Sequence, residues 1–286
     1  MEVKILNSQA QEKGKVKLPN QFNEEVRKDL VQRAVQAIQQ NTRQAYGADP
    51  EAGKKSSSYI SKRRRKYRGT YGIGQSRSPR KVMSRSGTRF NMEGAFAPNT
   101  RGGRRAHPPK ADKIWALKIN KNENRKAIRS ALSSTMQKEL VAERGHKVPD
   151  AYPFVISDDF TKISKTTELM KSLVALGFQD EIKRVSEKKI RAGKGKARGR
   201  RYKTKTGILF VVAEPCELVQ AITNIPGTDV ELVTDLNCEL LAPGAQLGRL
   251  TLYTESAIKK IAEQKLFMQK KNMPKTQTGD KQWKET

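Results

Sequence analysis

The chain has 286 residues, 58 Lys and Arg against 29 Asp and Glu, a formal charge of +29, and 35% hydrophobic residues. Its two cysteines, Cys216 and Cys238, supply neither a disulfide framework nor a metal-binding pattern, and no apolar run is long enough to span a bilayer. No secretory leader is expected at the Met1 end, so the composition points to a reducing, intracellular setting and to one large domain or two small ones.

In chain order, residues 3–5 and 16–18 alternate apolar and polar side chains across a Gly-containing link, which fits a small hairpin ended by Pro19. Asn23 is the expected N-cap of the first helix, with Glu24 and Glu25 in the first turn where the helix dipole favours carboxylates. Val26, Leu30, Val31, Ala34, Val35 and Ile38 line one side of that helix, which is expected to fray near Tyr46 and Gly47.

Residues 54–110 then hold 17 Lys and Arg against one acid, Glu93. The large aliphatics here, Ile60, Ile73, Val82, Met83 and Met92, follow neither the helical nor the strand period. Such a segment cannot bury enough apolar surface to offset the entropy of ordering it, and it is expected to be disordered alone in water. Both flanks read as folded, and an unstructured insertion of this length is commonly functional. A partner dense in negative charge would supply the missing contacts, and nucleic acid is the candidate. As two extended limbs of about 32 residues each, the insertion reaches at most ~100 Å.

Trp115, Leu117 and Ile119 alternate as the chain re-enters folded structure, with Trp115 expected as a core or hinge residue. Asn120 or Asn122 then caps one long helix running to Arg144, with Ile128, Leu132, Met136 and Leu140 as its apolar stripe and Gly145 as a left-handed stop. Arg125, Lys126 and Arg129 give its first half a basic face. A strand at 154–156 precedes a helix from about Thr167 carrying Leu169, Leu173, Val174 and Leu176. Gly177 breaks that helix, and a second piece carries Ile182 and Val185. Residues 208–212, Ile-Leu-Phe-Val-Val, read as a strand buried on both faces. A helix with Leu218, Val219 and Ile222, a strand at 230–233, a helical turn at 236–241, a strand at 250–253 and a helix from Ser256 to about Lys265 complete the pattern. Strands alternating with helices predict an α/β fold: a mostly parallel sheet with flanking helices, and a long extended basic loop inserted after the first helix. The expected organisation is a discontinuous globular domain over 1–46 and 113–269, the inserted loop over 47–112, a basic surface loop over 188–206 within the domain, and a flexible polar tail over 270–286.

Charge is segregated along this pattern. Residues 188–205 hold 10 Lys and Arg and no acid, so the two basic runs carry 27 of the 58 cations and one of the 29 acids. The body that remains is near-neutral, ordinary for a globular domain, which argues for two contact surfaces on a polyanion. Anionic membrane is disfavoured as that partner, because neither run carries an amphipathic helical face.

Catalytic and cofactor chemistry finds little support. The cluster Gly69-x-x-Gly72-x-Gly74 lacks the preceding strand and following helix of a dinucleotide site. Glycine there lets backbone lie against phosphate or base surfaces, and Gly102-Gly103 is expected to act likewise. His107 and His146 stand far apart with no Cys or carboxylate cluster, no nucleophile elbow precedes any serine, and Asp158-Asp159 fits a helix-capping turn. Cys216 and Cys238 are expected to pack inside as small apolar groups. No catalytic residue, cofactor or metal is expected. In the insertion, by contrast, Tyr59, Tyr67, Tyr71, Phe90 and Phe96 interleave with Arg63, Arg64, Arg65, Arg77, Arg85 and Arg89. Aromatics stack on unpaired bases, and arginine forks onto phosphate or lies on a base face.

Ordered motifs now carry a resemblance: GIGQSRSPRKVMSRSGTR, then RGGRRAHPP, then KINKNENRKAIRSAL, then RAGKGKARGRRY ahead of ILFVV, then NIPGTDVELVTDLNCELLAPGAQLGRLTLYTESAI. Over residues 1 to about 265 the chain resembles the universal fourth protein of the large ribosomal subunit in its archaeal and eukaryotic style, with a length that favours the archaeal type. The resemblance implies a non-enzymatic, cytoplasmic ribosomal protein with an α/β domain on the subunit surface and an extended loop threaded into large-subunit ribosomal RNA. The loop tip would help form the narrow part of the nascent-peptide exit tunnel, opposite a loop of another tunnel protein. The partners implied are this RNA and neighbouring large-subunit proteins, with no membrane and no homo-oligomer. Candidate RNA contacts on the outgoing limb and tip are Arg63, Arg64, Arg65, Tyr67, Arg68, Gly72, Gly74, Arg77, Arg80, Arg85 and Arg89. On the returning limb they are Arg101, Gly102, Gly103, Arg104, Arg105 and His107, and on the second run Lys194, Lys196, Arg198, Arg200 and Arg201.

Overall fold

The computed structural model describes residues 1–66 and 69–268; the expected tail over 270–286 lies outside the described residues. In chain order the elements are strands β1 (Glu2–Leu6) and β2 (Glu12–Lys17), helix α1 (Lys28–Asn41), strands β3 (Arg80–Ser86) and β4 (Arg89–Gly94), helices α2 (Lys121–Thr135) and α3 (Lys138–Glu143), and strand β5 (Phe154–Ile156). Helices α4 (Thr166–Ala175) and α5 (Gln179–Ser186) follow, then strands β6 (Lys189–Ile190), β7 (Tyr202–Lys203) and β8 (Leu209–Val212), helix α6 (Leu218–Thr223), strand β9 (Asp229–Leu232), helix α7 (Cys238–Leu241), strand β10 (Thr251–Tyr253) and helix α8 (Glu255–Glu263). The chain divides into two compact units, a body made of Met1–Asn41 with the chain from Leu117 onward, and an arm, Thr42–Ala116.

The body is mixed α/β. Among the described residues its strands form small sheets rather than one large one: β2-β1-β5, in which β1 runs antiparallel to β2 and parallel to β5, β10-β8-β9, which is parallel throughout, and the two-stranded pair β6-β7. An isolated parallel bridge between Ile156 and Thr254 sets β5 beside β10. The continuous apolar runs of β5, β8 and β10 are buried along their whole length, as strands covered on both faces should be. The outer strand β2 is instead mostly exposed and carries Lys13, Lys15 and Lys17, which discourages further pairing on that edge.

Four predicted helix boundaries move, one of them the end of α1, which comes at Asn41 rather than near Tyr46. Asn23 ends a short 3-10 turn, Asn20–Phe22, instead of capping α1. That turn drives Phe22 edge-on against Tyr253, with ring centroids 5.3 Å apart. Glu24 is thereby freed to pair with Arg129 of α2 at 2.7 Å. The single helix expected up to Arg144 is two, α2 and α3, separated by Met136 and the extended Gln137. Ser134 and Thr135 turn their hydroxyls back onto the carbonyls of Ala131 and Leu132, each at 2.7 Å, a local alternative to continuing the helix. The last helix begins one residue earlier than expected, because Thr254 caps it by accepting from the Ala257 amide while Asp158 accepts from Ser256. Gly145 does adopt the left-handed stop. Gly177 does the same after α4, and the amides of Gly177 and Phe178 close onto Val174 and Leu173, each at 3.0 Å.

The core gathers residues from β1, β5, β8 and β10 with the inner faces of α1, α2, α4, α6, α7 and α8. Cys238 is fully inside and burial pushes its thiol up to about 12; Cys216 is only half-buried. Besides Arg129, Arg249 and Glu181 are charged groups built into the interior. Arg249 donates to the carbonyls of Gly207 at 3.1 Å and Leu240 at 2.8 Å and to the Asp229 carboxylate, joining β9, α7 and the approach to β10. Glu181 of α5 accepts from Arg184 at 2.6 and 2.8 Å, from the Lys147 amide at 2.9 Å, and pairs with His146 at 2.6 Å.

Candidate nucleic-acid interface

The arm is a chain segment without a core. Among its described residues only Ser61 and Ala95 are buried, whereas Tyr59, Tyr71, Ile73, Val82, Met83, Met92 and Ile114 are exposed. What holds it is a sparse set of backbone pairs. Ala48 donates to Pro109, Tyr59 exchanges hydrogen bonds with Arg80, Ala95 donates to Pro79, and Arg104 donates to Phe96. Gly103 allows the closest of these approaches: a Cβ there would sit 1.9 Å from the Ala97 carbonyl oxygen.

Sequence periodicity gave no regular element inside the arm, yet β3 and β4 form an antiparallel hairpin with a register shift between Val82 and Ser84. The signal that would have found it is the two-residue loop Gly87-Thr88, with Gly87 at φ 56°, the primed type of turn that suits twisted strands. The hairpin sets Arg85 opposite Phe90 and over its ring at 5.3 Å. Arg77 lies over Tyr71 at 5.3 Å and Arg104 over Phe96 at 5.7 Å, so interleaved sequence becomes paired cation and ring.

The base of the arm carries a cluster that sequence could not assemble, since its members lie at opposite ends of the insertion. Tyr46 stacks on Trp115 at 5.8 Å; the Arg43 guanidinium sits 3.7 Å and the Lys113 ammonium 4.1 Å from the centre of the Trp115 ring. Trp115 is therefore not a core residue, and its indole N–H is covered and without a partner among the described residues.

Of the candidate contacts, Arg63, Arg64, Arg65, Arg77, Arg85, Arg89, Arg101, Arg105 and His107 are exposed. Arg80 is half-buried and turned back to Ser76 and Ser78, and Arg104 is half-buried over Phe96. Gly72, Gly74 and Gly102 have positive φ and open space around them, while Gly103 is packed as described. Tyr67 and Arg68 lie outside the described residues. None of the candidate arginines makes an ion pair among the described residues; the arm's ion pairs are Lys55 with Asp49 and Lys81 with Glu93.

The second basic run leaves the body between α5 and β8. Its two ends are fastened by Lys205 to Glu187 at 3.0 Å and by Arg184 to the Thr206 carbonyl at 2.7 Å. Between them β6 and β7 pair around a 3-10 turn, Gly193–Arg198, with Lys189 directly opposite Lys203. Like charges facing across strands are destabilising unless an anion intervenes. Arg191 is used internally, on the carbonyls of Arg200 and Tyr202. Lys194, Lys196, Arg198, Arg200 and Arg201 remain exposed and outside any ion pair among the described residues.

Both surfaces are thus rich in unneutralised cations beside exposed rings, on backbone that glycine keeps slim. Among the described residues no group of His, Cys, Asp and Glu is placed to hold a metal ion, and no helix is long and apolar enough to cross a membrane.

Comparison with known proteins agrees with the motifs. The profile described as "Ribosomal protein L4/L1 family" matches residues 16–264. The large ribosomal subunit protein uL4 of Nanoarchaeum equitans is 47% identical over 268 residues, covering 93% of this chain and 100% of that protein. The uL4 proteins of Halobacterium salinarum and Archaeoglobus fulgidus are 41% and 39% identical, each across 92% of this chain and 100% or 99% of their own length. With an ordered motif series, a profile match over most of its length and archaeal relatives aligned nearly end to end, the chain belongs to the ribosomal protein L4/L1 family.

Proposed function

We propose that this chain is a structural, non-enzymatic protein of the large ribosomal subunit in the cytoplasm. In this reading the body sits among neighbouring large-subunit proteins, and residues 47–112 form an extended loop that folds onto large-subunit ribosomal RNA during assembly. The loop tip lines part of the nascent-peptide exit tunnel, facing a loop of another tunnel protein, and residues 188–206 make a second RNA contact. The observation that carries this is the arm's construction: 17 cations, one acid and exposed rings over residues 54–110, with almost nothing buried. Such a segment gains its contacts from a polyanion, through phosphate neutralisation and release of counterions. The relatives are named as proteins of the large ribosomal subunit, which supports ribosomal RNA as that polyanion.

Sucrose-gradient sedimentation of cell lysate tests the reading. The protein is expected to travel with large subunits, and a chain lacking residues 62–89 is expected to be depleted from them. Recovery of the intact protein only in the soluble, RNA-free fractions would overturn it.

A further inference from the structure

Within the arm, residues from both sides of the β3–β4 hairpin and from the segment before it enclose a groove of about 350 Å³. Its walls are apolar, contributed by Ile60, Ile73, Val82, Phe90 and Met92, and its rim carries Thr70, Gln75, Arg80 and Arg85. No acidic residue lines it. An apolar slot is unexpected in so cationic a segment, and phosphate neutralisation makes no use of it. We propose that this groove receives one unstacked nucleobase of the bound RNA, with Phe90 and the aliphatic walls against the base face and Gln75 at its polar edge. The reading rests on the RNA-binding function above and names where a base, as distinct from the backbone, is held.

Charge decides the occupant. A nucleobase arrives attached to phosphates, which the Arg80 and Arg85 rim complements, whereas an apolar peptide side chain brings nothing for two guanidinium groups to neutralise. Aromatic stacking of unpaired bases tolerates any sequence because every base has a flat face.

The test compares binding of the full-length protein to a short single-stranded oligoribonucleotide and to the abasic phosphodiester backbone of the same length and charge. The base-bearing strand is expected to bind roughly 5- to 150-fold more tightly, the range of one base–aromatic stack. Phe90→Ala should lower that ratio while leaving affinity for the abasic strand and its salt dependence unchanged. Ile73→Trp, outside the hairpin and filling the groove, should do the same, so a Phe90 variant that merely unravels β3–β4 does not decide the matter. A ratio near one in the unmodified protein, or a ratio that neither substitution changes, overturns the groove assignment while a steep salt dependence leaves the RNA-binding function standing. Displacement of the strand by a neutral apolar peptide in the unmodified protein but not in Ile73→Trp would overturn it in favour of a peptide side chain. Absence of salt-dependent binding to either strand would instead count against the function itself.

Discussion

Glu181 is the residue on which most of one corner of the body depends. Burial pushes its carboxyl up, but Arg184, His146 and the Lys147 amide outweigh that and hold it down at about 2. Burial also lowers His146, against the opposing pull of Glu181. Both shifts act in one direction. The unfolded chain takes up protons first, on His below about 6.5 and on Glu below about 4.3, so folding stability declines as pH falls through these values. Urea midpoints measured from pH 7 to pH 3 are expected to drop steadily, with the Glu181 part fully lost only near pH 2. Glu181→Gln should cost roughly 3 kcal/mol at neutral pH, because it strands the Arg184 charge, and should flatten the acid limb of that curve. An unchanged acid limb in the variant would refute the assignment. Little of this was legible beforehand. His146 reads in sequence only as a histidine after a helix stop, and Glu181 as one of two acids opening α5. Their meeting depends on the cap at Gly145 turning the chain back toward that helix.

Elements differ in how far sequence determines them. Strand β8 is read correctly from its side chains alone, since a run of Leu209, Phe210, Val211 and Val212 has no polar face to expose. Phe210→Ala should cost about 3–5 kcal/mol by removing a fully buried ring from a site that cannot collapse, measurable as a lower denaturation midpoint with unchanged m-value. The hairpin β3–β4 is the opposite case. Its strand RKVMSRS shows no alternation and RFNMEG alternates only over Phe90 and Met92, because neither face of the hairpin is buried in a core, and its clearest local mark is the turn. The break between α2 and α3 was equally hidden, because the apolar stripe continues across it while serine and threonine hydroxyls interrupt the backbone. On the returning limb, Gly103→Ala cannot be accommodated without moving the Ala97 carbonyl. Limited proteolysis should then cut the arm faster, with the melting temperature of the body unchanged because the body's core takes nothing from Gly103.

For the whole molecule, the governing feature is the separation of a near-neutral body from two cationic surfaces. Removing residues 62–89 is expected to weaken RNA binding and hinder subunit assembly while circular dichroism reports a folded body; loss of that signal would contradict the division of labour. Replacing Arg63, Arg64 and Arg65 together with glutamine should reduce the slope of log affinity against log salt by up to about 2–3, at ~0.7–0.9 per phosphate contact. An unchanged slope would show that these three exposed arginines make no phosphate contacts.

The sequence by itself determined the charge segregation, the family, the α/β class and the strands buried on both faces, because each is written in runs of neighbouring residues. Only tertiary structure decided which cations face outward. Arg129, which reads as part of a basic helix face, is buried against Glu24 and the Phe267 carbonyl, and Arg249 disappears into the core while pairing with the surface carboxylate of Asp229. Arg43 and Lys113 meet on Trp115 across the base of the arm. A charge is committed inward or left for a partner according to what lies within a few ångströms of it, and those neighbours come from distant parts of the chain.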